Sequence, residues 1–265
     1  FLGPLVFIFL IDDLFADCLI HKFVDDTTLS EFIKHNGPSQ MALYINQVTL
    51  WSRDNQMNIN WKKTKEMFFG PMSKCSVPQL FIDNNAIVRV NCFKLLGVNI
   101  DDKLKWNSHV NSICSKASAR LYFLKQLKRS AVSSDDLVHF YVTVIRSVLE
   151  YACPAWHTSL TAHSANQIES VQKRAINIIY SNCNYREVCA KLNLPTLFDR
   201  REELCKTFFK DMLKTDNCLH YLLPQPRQNE IVSKLRHYDK LVPPTAKTVR
   251  NQKSFVVHAL QHYQH

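Results

Sequence analysis

The stretch Cys18-Leu19-Ile20-His21-Lys22-Phe23-Val24-Asp25-Asp26-Thr27-Thr28-Leu29-Ser30 decides how the first part of this chain folds. Two runs rich in β-branched and apolar residues flank a pair of adjacent aspartates. Asp tolerates the backbone conformations that a tight hairpin turn requires. The pattern therefore predicts a β-hairpin over residues 18–33 with Asp25 and Asp26 at its tip.

Two carboxylates at the tip of an apolar hairpin are candidate ligands for a divalent cation. Mg²⁺ prefers hard oxygen ligands and usually takes one or two carboxylates, with water and phosphate oxygens filling the other positions. A metal held in this way supports phosphoryl and nucleotidyl transfer. The alternative is a solvated turn, because Asp-Asp pairs are common in turns. The surrounding sequence has to separate the two readings.

Composition narrows the class of protein. The chain has 265 residues, a formal net charge of +10 and four glycines. So few glycines exclude the Gly-rich phosphate loops of nucleotide-binding folds. The positive charge favours a polyanionic partner, nucleic acid before a membrane, although a generic basic surface is the alternative. Nine cysteines without a CxxC pair indicate reduced thiols in an intracellular protein rather than a zinc site.

The first eleven residues are apolar apart from Gly3 and Pro4. This stretch is too short to span a bilayer, and it lacks the basic start of a signal peptide. It is typical of an element taken from a larger core. We therefore expect a fragment whose N-terminal portion precedes Phe1.

The rest of the chain predicts an α+β fold. We expect a partial, strand-containing domain over 1–100, a helical domain over 101–215 and a basic, largely irregular tail over 216–265. Apolar residues recur at helical spacing in the second of these parts. Helices are predicted at 1–16 (buried), at 40–56 after the N-cap Ser39, and at 107–129, 133–149, 161–180 and 199–213, with strands at 66–69 and within 79–100.

Positive charge is concentrated in residues 103–129, which contain seven basic residues and no acidic one. Trp106, Tyr122 and Phe123 are interleaved with them, a mixture that suits a surface tracking a nucleic-acid backbone. The alternative is a solvated helix face beside core aromatics. The seven are Lys103, Lys105, Lys116, Arg120, Lys125, Lys128 and Arg129.

Six motifs, in order and at plausible spacing, resemble the second half of the reverse transcriptase of a non-LTR (LINE-like) retrotransposon. In the hairpin motif, Val24 stands where this family usually has Ala. The motifs are Leu2-Gly3-Pro4-Leu5-Val6-Phe7 with the following Phe9-Leu10-Ile11-Asp12-Asp13-Leu14, Lys22-Phe23-Val24-Asp25-Asp26-Thr27, Trp51 with Asn58-Ile59-Asn60, Lys63-Thr64-Lys65-Glu66-Met67-Phe68, Phe93-Lys94-Leu95-Leu96-Gly97-Val98, and the helical pair 145–152 and 168–175.

The resemblance implies a partial polymerase palm, a helical thumb, and copying of RNA into DNA with two Mg²⁺ ions. Asp25 matches the metal-ligating Asp and Asp26 its secondary neighbour, while Lys63 matches a lysine near the pyrophosphate leaving group. Primer and nucleic-acid contacts are assigned to Phe93, Lys94, Leu96, Gly97, Lys116, Arg120, Lys125, Lys128 and Arg129. The implied partners are an RNA template, a DNA primer and deoxynucleoside triphosphates, with no membrane, and the implied site of action is the nucleus.

One departure from the family weakens the metal site. The family's first catalytic strand carries a further Asp, which would lie before Phe1, as would the fingers. Asp12 and Asp13 match a turn that does not bind metal. We therefore expect the chain alone to be inactive. The alternatives are a non-enzymatic relic that still binds nucleic acid through its basic thumb and tail, and a basic helical interaction protein unrelated to polymerases.

Overall fold

A computed structural model describes residues 2–34, 37–70, 77–181, 184–225 and 241–264. The chain divides into two compact units, Phe1–Phe93 and Lys94–His265, called unit 1 and unit 2 below. Helices and small two-stranded sheets occur together, which confirms the predicted α+β class. No helix in the described part of the chain is long and apolar enough to cross a membrane.

Unit 1 combines two helices with short paired strands. Strands β1 and β2 are antiparallel, β3 and β6 are parallel, and β4 and β5 are antiparallel. The elements are α1 (Leu2–Ile11), β1 (Leu19–Phe23), β2 (Asp26–Ser30), α2 (Met41–Asp54), β3 (Lys65–Glu66), β4 (Phe81–Ile82), β5 (Asn85–Ala86) and β6 (Val88–Arg89). The strand predicted at 66–69 is thus shorter than expected and begins one residue earlier.

The first helix forms where the sequence predicts it, but the expectation that it is buried is wrong. It ends at Ile11, and its side chains are mostly exposed, with Phe9 at 81%. Because the helix is apolar on all sides, no single face is specified for burial by its sequence. Burial begins at its C-terminal end, where Ile11, Leu14 and Ala16 are covered.

A carboxylate from the preceding segment caps helix α2. The expected cap, Ser39, lies one residue before the N-cap Gln40, but its hydroxyl does accept from the Met41 amide at 3.2 Å. Its hydroxyl donates to Glu31 Oε2 at 2.8 Å, and the Gln40 amide donates to Glu31 Oε1 at 2.8 Å. A carboxylate here satisfies an otherwise unpaired helix N–H and favours the positive end of the helix dipole. Helix α2 in turn contributes Ile45 to a small core with Leu80, Ile82 and Ile87.

Unit 2 is built of helices around one large core. The predicted stripe on the first of these helices is confirmed: Val110, Ile113, Ala117, Leu121 and Leu124 are buried, and Leu127 is partly buried against the same core. The elements are the hairpin β7 (Cys92–Leu95), whose first two residues precede the unit boundary, and β8 (Val98–Asp101), then α3 (Asn107–Arg129), α4 (Ser134–Phe140), a π-helical turn (Tyr141–Arg146), α5 (Ser147–Glu150), 3-10 turns at Cys153–Ala155, His157–Ser159 and His220–Leu222, α6 (Ala162–Ile179), α7 (Tyr185–Lys191), α8 (Leu197–Met212), α9 (Val249–Gln252) and α10 (Phe255–His262).

Two helices lie in the tail that the sequence predicts to be largely irregular. Helix α10 buries Val257, Ala259 and Leu260, the last two within the core of unit 2. The spacing of these apolar residues is helical. The prolines and polar composition of the segment as a whole nevertheless favoured irregular structure. Residues 226–240, which carry several of the tail's basic residues, lie outside the described part of the chain.

Candidate active-site hairpin and nucleic-acid surface

The structure confirms the predicted hairpin and places both aspartates at its tip. Phe23 pairs with Asp26, so Val24 and Asp25 form a two-residue turn. Asp25 lies in the turn itself and Asp26 is the first residue of β2. Both carboxylates are exposed to solvent. They are therefore accessible to a metal ion or a phosphate-bearing substrate.

The turn holds Val24 in an unusual backbone conformation. Its φ is +55°, in the left-handed region. Two-residue hairpin loops require φ > 0 at their first central residue, because only such turns match the twist of the flanking strands. A β-branched residue there is a genuine outlier, and the conformation costs roughly 1–2 kcal/mol. The hairpin tip that carries Asp25 is therefore strained.

Lys22 fastens the hairpin to the end of helix α1. Its Nζ donates to the carbonyl oxygens of Ile11 at 3.0 Å, Asp12 at 2.7 Å and Leu14 at 3.2 Å. An ammonium group has three donors, so this arrangement uses all of them. A cation at a helix C-terminus also satisfies unpaired carbonyls and favours the helix dipole. This contact was not predicted from the sequence, although Lys22 is part of the hairpin motif.

Asp13 and Asp17 hold helix α2 through side-chain hydrogen bonds. Trp51 Nε1 donates to Asp13 Oδ1 at 3.0 Å, and Gln47 Nε2 donates to Asp17 Oδ2 at 2.6 Å. The hydrogen bond between Trp51 and Asp13 joins two of the six motifs, the one that includes the Asp12-Asp13 turn and the one that contains Trp51. Within the described ranges, no group of three or more His, Cys, Asp or Glu side chains is placed to hold a metal ion.

Lys63 lies on an exposed turn after helix α2. Its backbone N–H donates to Asn60, to the carbonyl at 3.0 Å and to Oδ1 at 3.1 Å. In the part of the chain that the structure describes, no hydrogen bond or ion pair joins its side chain to Asp25 or Asp26. Its expected approach to a leaving group stays a prediction.

The second hairpin carries the residues assigned to the primer. Phe93, Lys94 and Leu96 are all exposed on it. Leu96 and Gly97 form its turn with φ of +44° and +87°, so both central residues are in the left-handed region. That is the type I′ geometry, which favours Gly at the second position. Gly97 is therefore required by the turn.

Tyr151 closes over this turn from the end of α5. Its hydroxyl donates to the Leu96 carbonyl at 2.9 Å. A Cβ built on Gly97 would lie 3.2 Å from a ring carbon of Tyr151, tighter than ordinary packing. The Tyr151 carbonyl accepts from Nε1 of the fully buried Trp156 at 3.1 Å. The turn is thus anchored to the core of unit 2.

Helix α3 presents an exposed basic surface. Lys116, Lys125, Lys128 and Arg129 are exposed, as the nucleic-acid assignment requires. Arg120 differs, because it is half-buried and its Nη1 donates to the Val144 carbonyl in the π-helical turn. Part of its guanidinium is thus engaged in helix packing.

Two curated proteins from Drosophila melanogaster are similar to this chain. One is "Probable RNA-directed DNA polymerase from transposon X-element", 23% identical over 214 residues, which are 75% of this chain and 23% of that protein. The other is "RNA-directed DNA polymerase from mobile element jockey", 21% identical over 210 residues, 77% of this chain and 23% of that protein.

The chain is similar to RNA-directed DNA polymerases of mobile elements. It spans about a quarter of the length of the two curated relatives. The similarity confirms the resemblance read from the six motifs and speaks against an unrelated interaction protein.

Neither a family model nor a solved structure indicates a further function for this chain. A family model described as "Alkylated DNA repair protein alkB homolog 8, N-terminal" matches residues 106–147, which span α3, α4 and the π-helical turn. That match covers a small part of unit 2 and does not place the chain in that family. No solved structure matches the chain.

A buried polar cluster in unit 2 was not predicted from the sequence. Arg201 is fully buried, and its Nε donates to His157 Nδ1 at 3.3 Å. His157 Nε2 lies 3.2 Å from Glu202 Oε2. Burial, reinforced by the charge of Arg201, lowers the pKa of His157 to about 4. The imidazole is therefore neutral at pH 7, accepting from Arg201 and donating to Glu202.

A sequence signal for this cluster exists. Arg201 lies in register with the buried face of α8, which includes Leu197, Cys205 and Phe209. A charged residue in a helical core stripe indicates a buried, paired group, since an unpaired buried charge is costly. The partner His157 is 44 residues away in sequence, so the pairing itself could not be predicted.

Proposed function

We propose that this chain is part of the RNA-directed DNA polymerase of a non-LTR retrotransposon, with residues 1–100 in the palm and residues 101–215 in the helical thumb. The observation that carries the proposal is the exposed two-residue turn that presents Asp25, within a motif order shared with this family. The two Drosophila relatives, both described as RNA-directed DNA polymerases, support it. Nuclear action follows by analogy with insertion into chromosomal DNA.

In the intact protein, two Mg²⁺ ions would support nucleotidyl transfer, one activating the primer 3′-hydroxyl and one holding the nucleotide phosphates. Asp25 would be the main metal ligand. Asp26 begins β2, where successive side chains point to opposite faces, so it would be secondary. Lys63 would stabilise the leaving pyrophosphate. The β7–β8 hairpin and the basic face of α3 would contact the DNA primer and the RNA template.

The polypeptide of residues 1–265 alone is expected to be inactive. Two adjacent carboxylates offer few ligands, and the described residues bring no third one to them. Primer extension on a poly-rA template with Mg²⁺ or Mn²⁺ should give no product. Product that disappears in Asp25→Ala would refute this expectation and would place catalysis at Asp25.

A chimera tests the polymerase function itself. The upstream part of the X-element polymerase is joined to residues 1–265, replacing the matching segment of that relative. The chimera should extend a primer, Asp25→Asn should abolish extension, and Asp26→Asn should reduce it less. Asp12→Asn is the matched control and should leave extension intact. Extension that survives Asp25→Asn would contradict the assignment.

A second candidate function is a non-enzymatic relic that binds nucleic acid through its thumb and tail. The observation in its favour is that the exposed cations of α3 belong to unit 2, whereas the Asp25 hairpin belongs to unit 1. Binding to single-stranded RNA should weaken steeply with salt, because each phosphate contact releases counterions. Salt-independent affinity would count against the basic surface.

A further inference from the structure

Two aromatic rings stand side by side in solvent on helix α3. Tyr122 is 60% and Phe123 is 58% exposed, although the same helix buries Leu121 and Leu124 in the core of unit 2. The ring centroids are 5.7 Å apart with an interplanar angle of 76°. Exposing two adjacent rings costs hydrophobic free energy, and exposed aromatic clusters mark sites of interaction.

Little of the helix covers these rings. Helical side chains lean toward the N-terminus, over the turn that precedes them. For Tyr122 and Phe123 that turn contains Ala119, which is exposed and has only a methyl group. Among the cation–π pairs of the described residues, none involves either ring. Apart from the edge-to-face contact between the two rings themselves, their faces are therefore open to a ligand.

Positive charges flank the pair along the helix. Lys125 and Arg129 follow Tyr122 by three and seven positions, and Lys116 precedes Phe123 by seven, so each lies on the same side as one of the rings. All three are exposed, and residues 103–129 contain no acidic side chain. The surface thus combines open π-faces with a local field that attracts an anion.

We infer that Tyr122 and Phe123 form a stacking platform for unpaired bases of a single-stranded nucleic acid, whose phosphates are held by Lys116, Lys125 and Arg129. This inference rests on the proposed function and names the kind of nucleic acid that the α3 surface takes. Every base has a π-face, so such a platform is tolerant of sequence. In a duplex the base faces are already stacked on one another, so exposed rings gain little from it.

The test is fluorescence anisotropy with the full chain of residues 1–265 and three labelled probes: an oligothymidylate, an abasic oligonucleotide of the same length, and a DNA duplex. Tyr122→Ala/Phe123→Ala should weaken binding to oligothymidylate by about tenfold or more. The same variant should bind the abasic strand and the duplex as the wild type does. Because both rings are exposed, its circular dichroism and Tm should be unchanged.

Two control variants separate stacking from charge. Tyr221→Ala removes a similarly exposed ring, 58% exposed, and should leave all three affinities unchanged. Lys125→Gln/Arg129→Gln should lower the salt dependence for the single strand, by about 0.7 in the log–log slope for each phosphate that is no longer neutralised. Tyr122→Ala/Phe123→Ala should keep the wild-type slope, since stacking releases no counterions.

The outcomes distinguish the inference from the proposed function. Wild-type binding to oligothymidylate that is unaffected by Tyr122→Ala/Phe123→Ala overturns the platform and leaves nucleic-acid binding standing. Equal weakening on the duplex or on the abasic strand also overturns it, because bases are then not what the rings contact. A wild-type chain that binds none of the three probes overturns the α3 surface, and with it both proposals for nucleic-acid binding by this unit.

Discussion

Val24 illustrates, at the scale of single residues, how one side chain can oppose the turn that presents Asp25. Its φ of +55° is imposed by the two-residue loop, whereas its β-branched side chain disfavours that conformation. Asn tolerates the left-handed region far better.

Val24→Asn should therefore stabilise the hairpin locally by about 1 kcal/mol. Hydrogen exchange of the β1 and β2 amides should slow about fivefold, since 1.4 kcal/mol corresponds to a factor of ten. Thr28→Asn, inside β2, is the matched control and should not slow exchange, because Asn is disfavoured in strands. Unchanged or faster exchange in Val24→Asn would show that the turn does not strain Val24.

His157 predicts a pH dependence of stability. Its pKa is about 4 in the folded chain, below the roughly 6.5 expected when unfolded. The folded state therefore binds fewer protons, and its stabilising contribution is complete above pH ~6.5 and is lost as pH falls toward 4. The full shift corresponds to about 3 kcal/mol, of the order expected for a buried imidazole.

The measurement is urea unfolding of the chain at several pH values between 7 and 4.5. His157→Asn should be less stable than the wild type at pH 7, yet its stability should fall less steeply on acidification. The exposed His139→Gln is the control and should follow the wild-type profile. Parallel profiles for His157→Asn and the wild type would contradict a neutral, buried His157.

At the scale of elements, the β7–β8 turn depends on a helix end that lies 55 residues away in sequence. Tyr151 donates to the turn and also leaves no room for a side chain on Gly97. Two separate costs therefore oppose Gly97→Ala, one from φ of +87° and one from contact with the ring.

A double-mutant cycle separates these costs. Gly97→Ala should destabilise the chain by roughly 1–3 kcal/mol. The double variant Gly97→Ala/Tyr151→Ala should be destabilised by less than the sum of the two single effects. The contact with the ring is then gone, while the backbone strain at residue 97 remains. Tyr221→Ala, a distant exposed tyrosine, should be additive with Gly97→Ala. Simple additivity of Gly97→Ala and Tyr151→Ala in urea unfolding would refute the contact.

At the scale of the whole molecule, the two units differ in how many of their apolar side chains are buried. Among the residues that the structure describes, unit 2 has a core of 28 buried hydrophobic residues, whereas the core cluster in unit 1 consists of four. Unit 1 also exposes large apolar side chains, among them Phe9, Phe15 and Phe32 at 81%, 67% and 89%. Exposed apolar surface of this kind favours association with other surfaces.

We therefore expect residues 91–265 to fold without residues 1–90. This polypeptide should unfold cooperatively in urea and stay monomeric at concentrations at which the whole chain associates. Analytical ultracentrifugation and circular dichroism measure both properties. Non-cooperative unfolding of residues 91–265 would show that unit 2 requires unit 1.

Local sequence determined many of the helices and strands of this chain and its resemblance to a family. The paired aspartates between two β-prone runs were enough for the hairpin, because turn preference and alternation act within a few residues. The core face of α3 followed from its 3.6-residue period, and the order of the motifs indicated a resemblance that the similarity to two Drosophila proteins supports. The basic charge of 103–129 is likewise a property of composition.

Tertiary structure decided which atoms meet. Three side chains form hydrogen bonds with residues that are at least eight positions away in sequence. Lys22 donates to the carbonyls at the end of α1, Tyr151 donates to the Leu96 carbonyl, and Arg201 donates to His157. No local pattern specifies such partners, because they depend on how helices and strands pack. The tertiary structure also decided which apolar side chains are exposed. Phe9, Phe123 and Leu124 are all apolar residues on helices, but packing leaves the first two in solvent and buries Leu124 in the core.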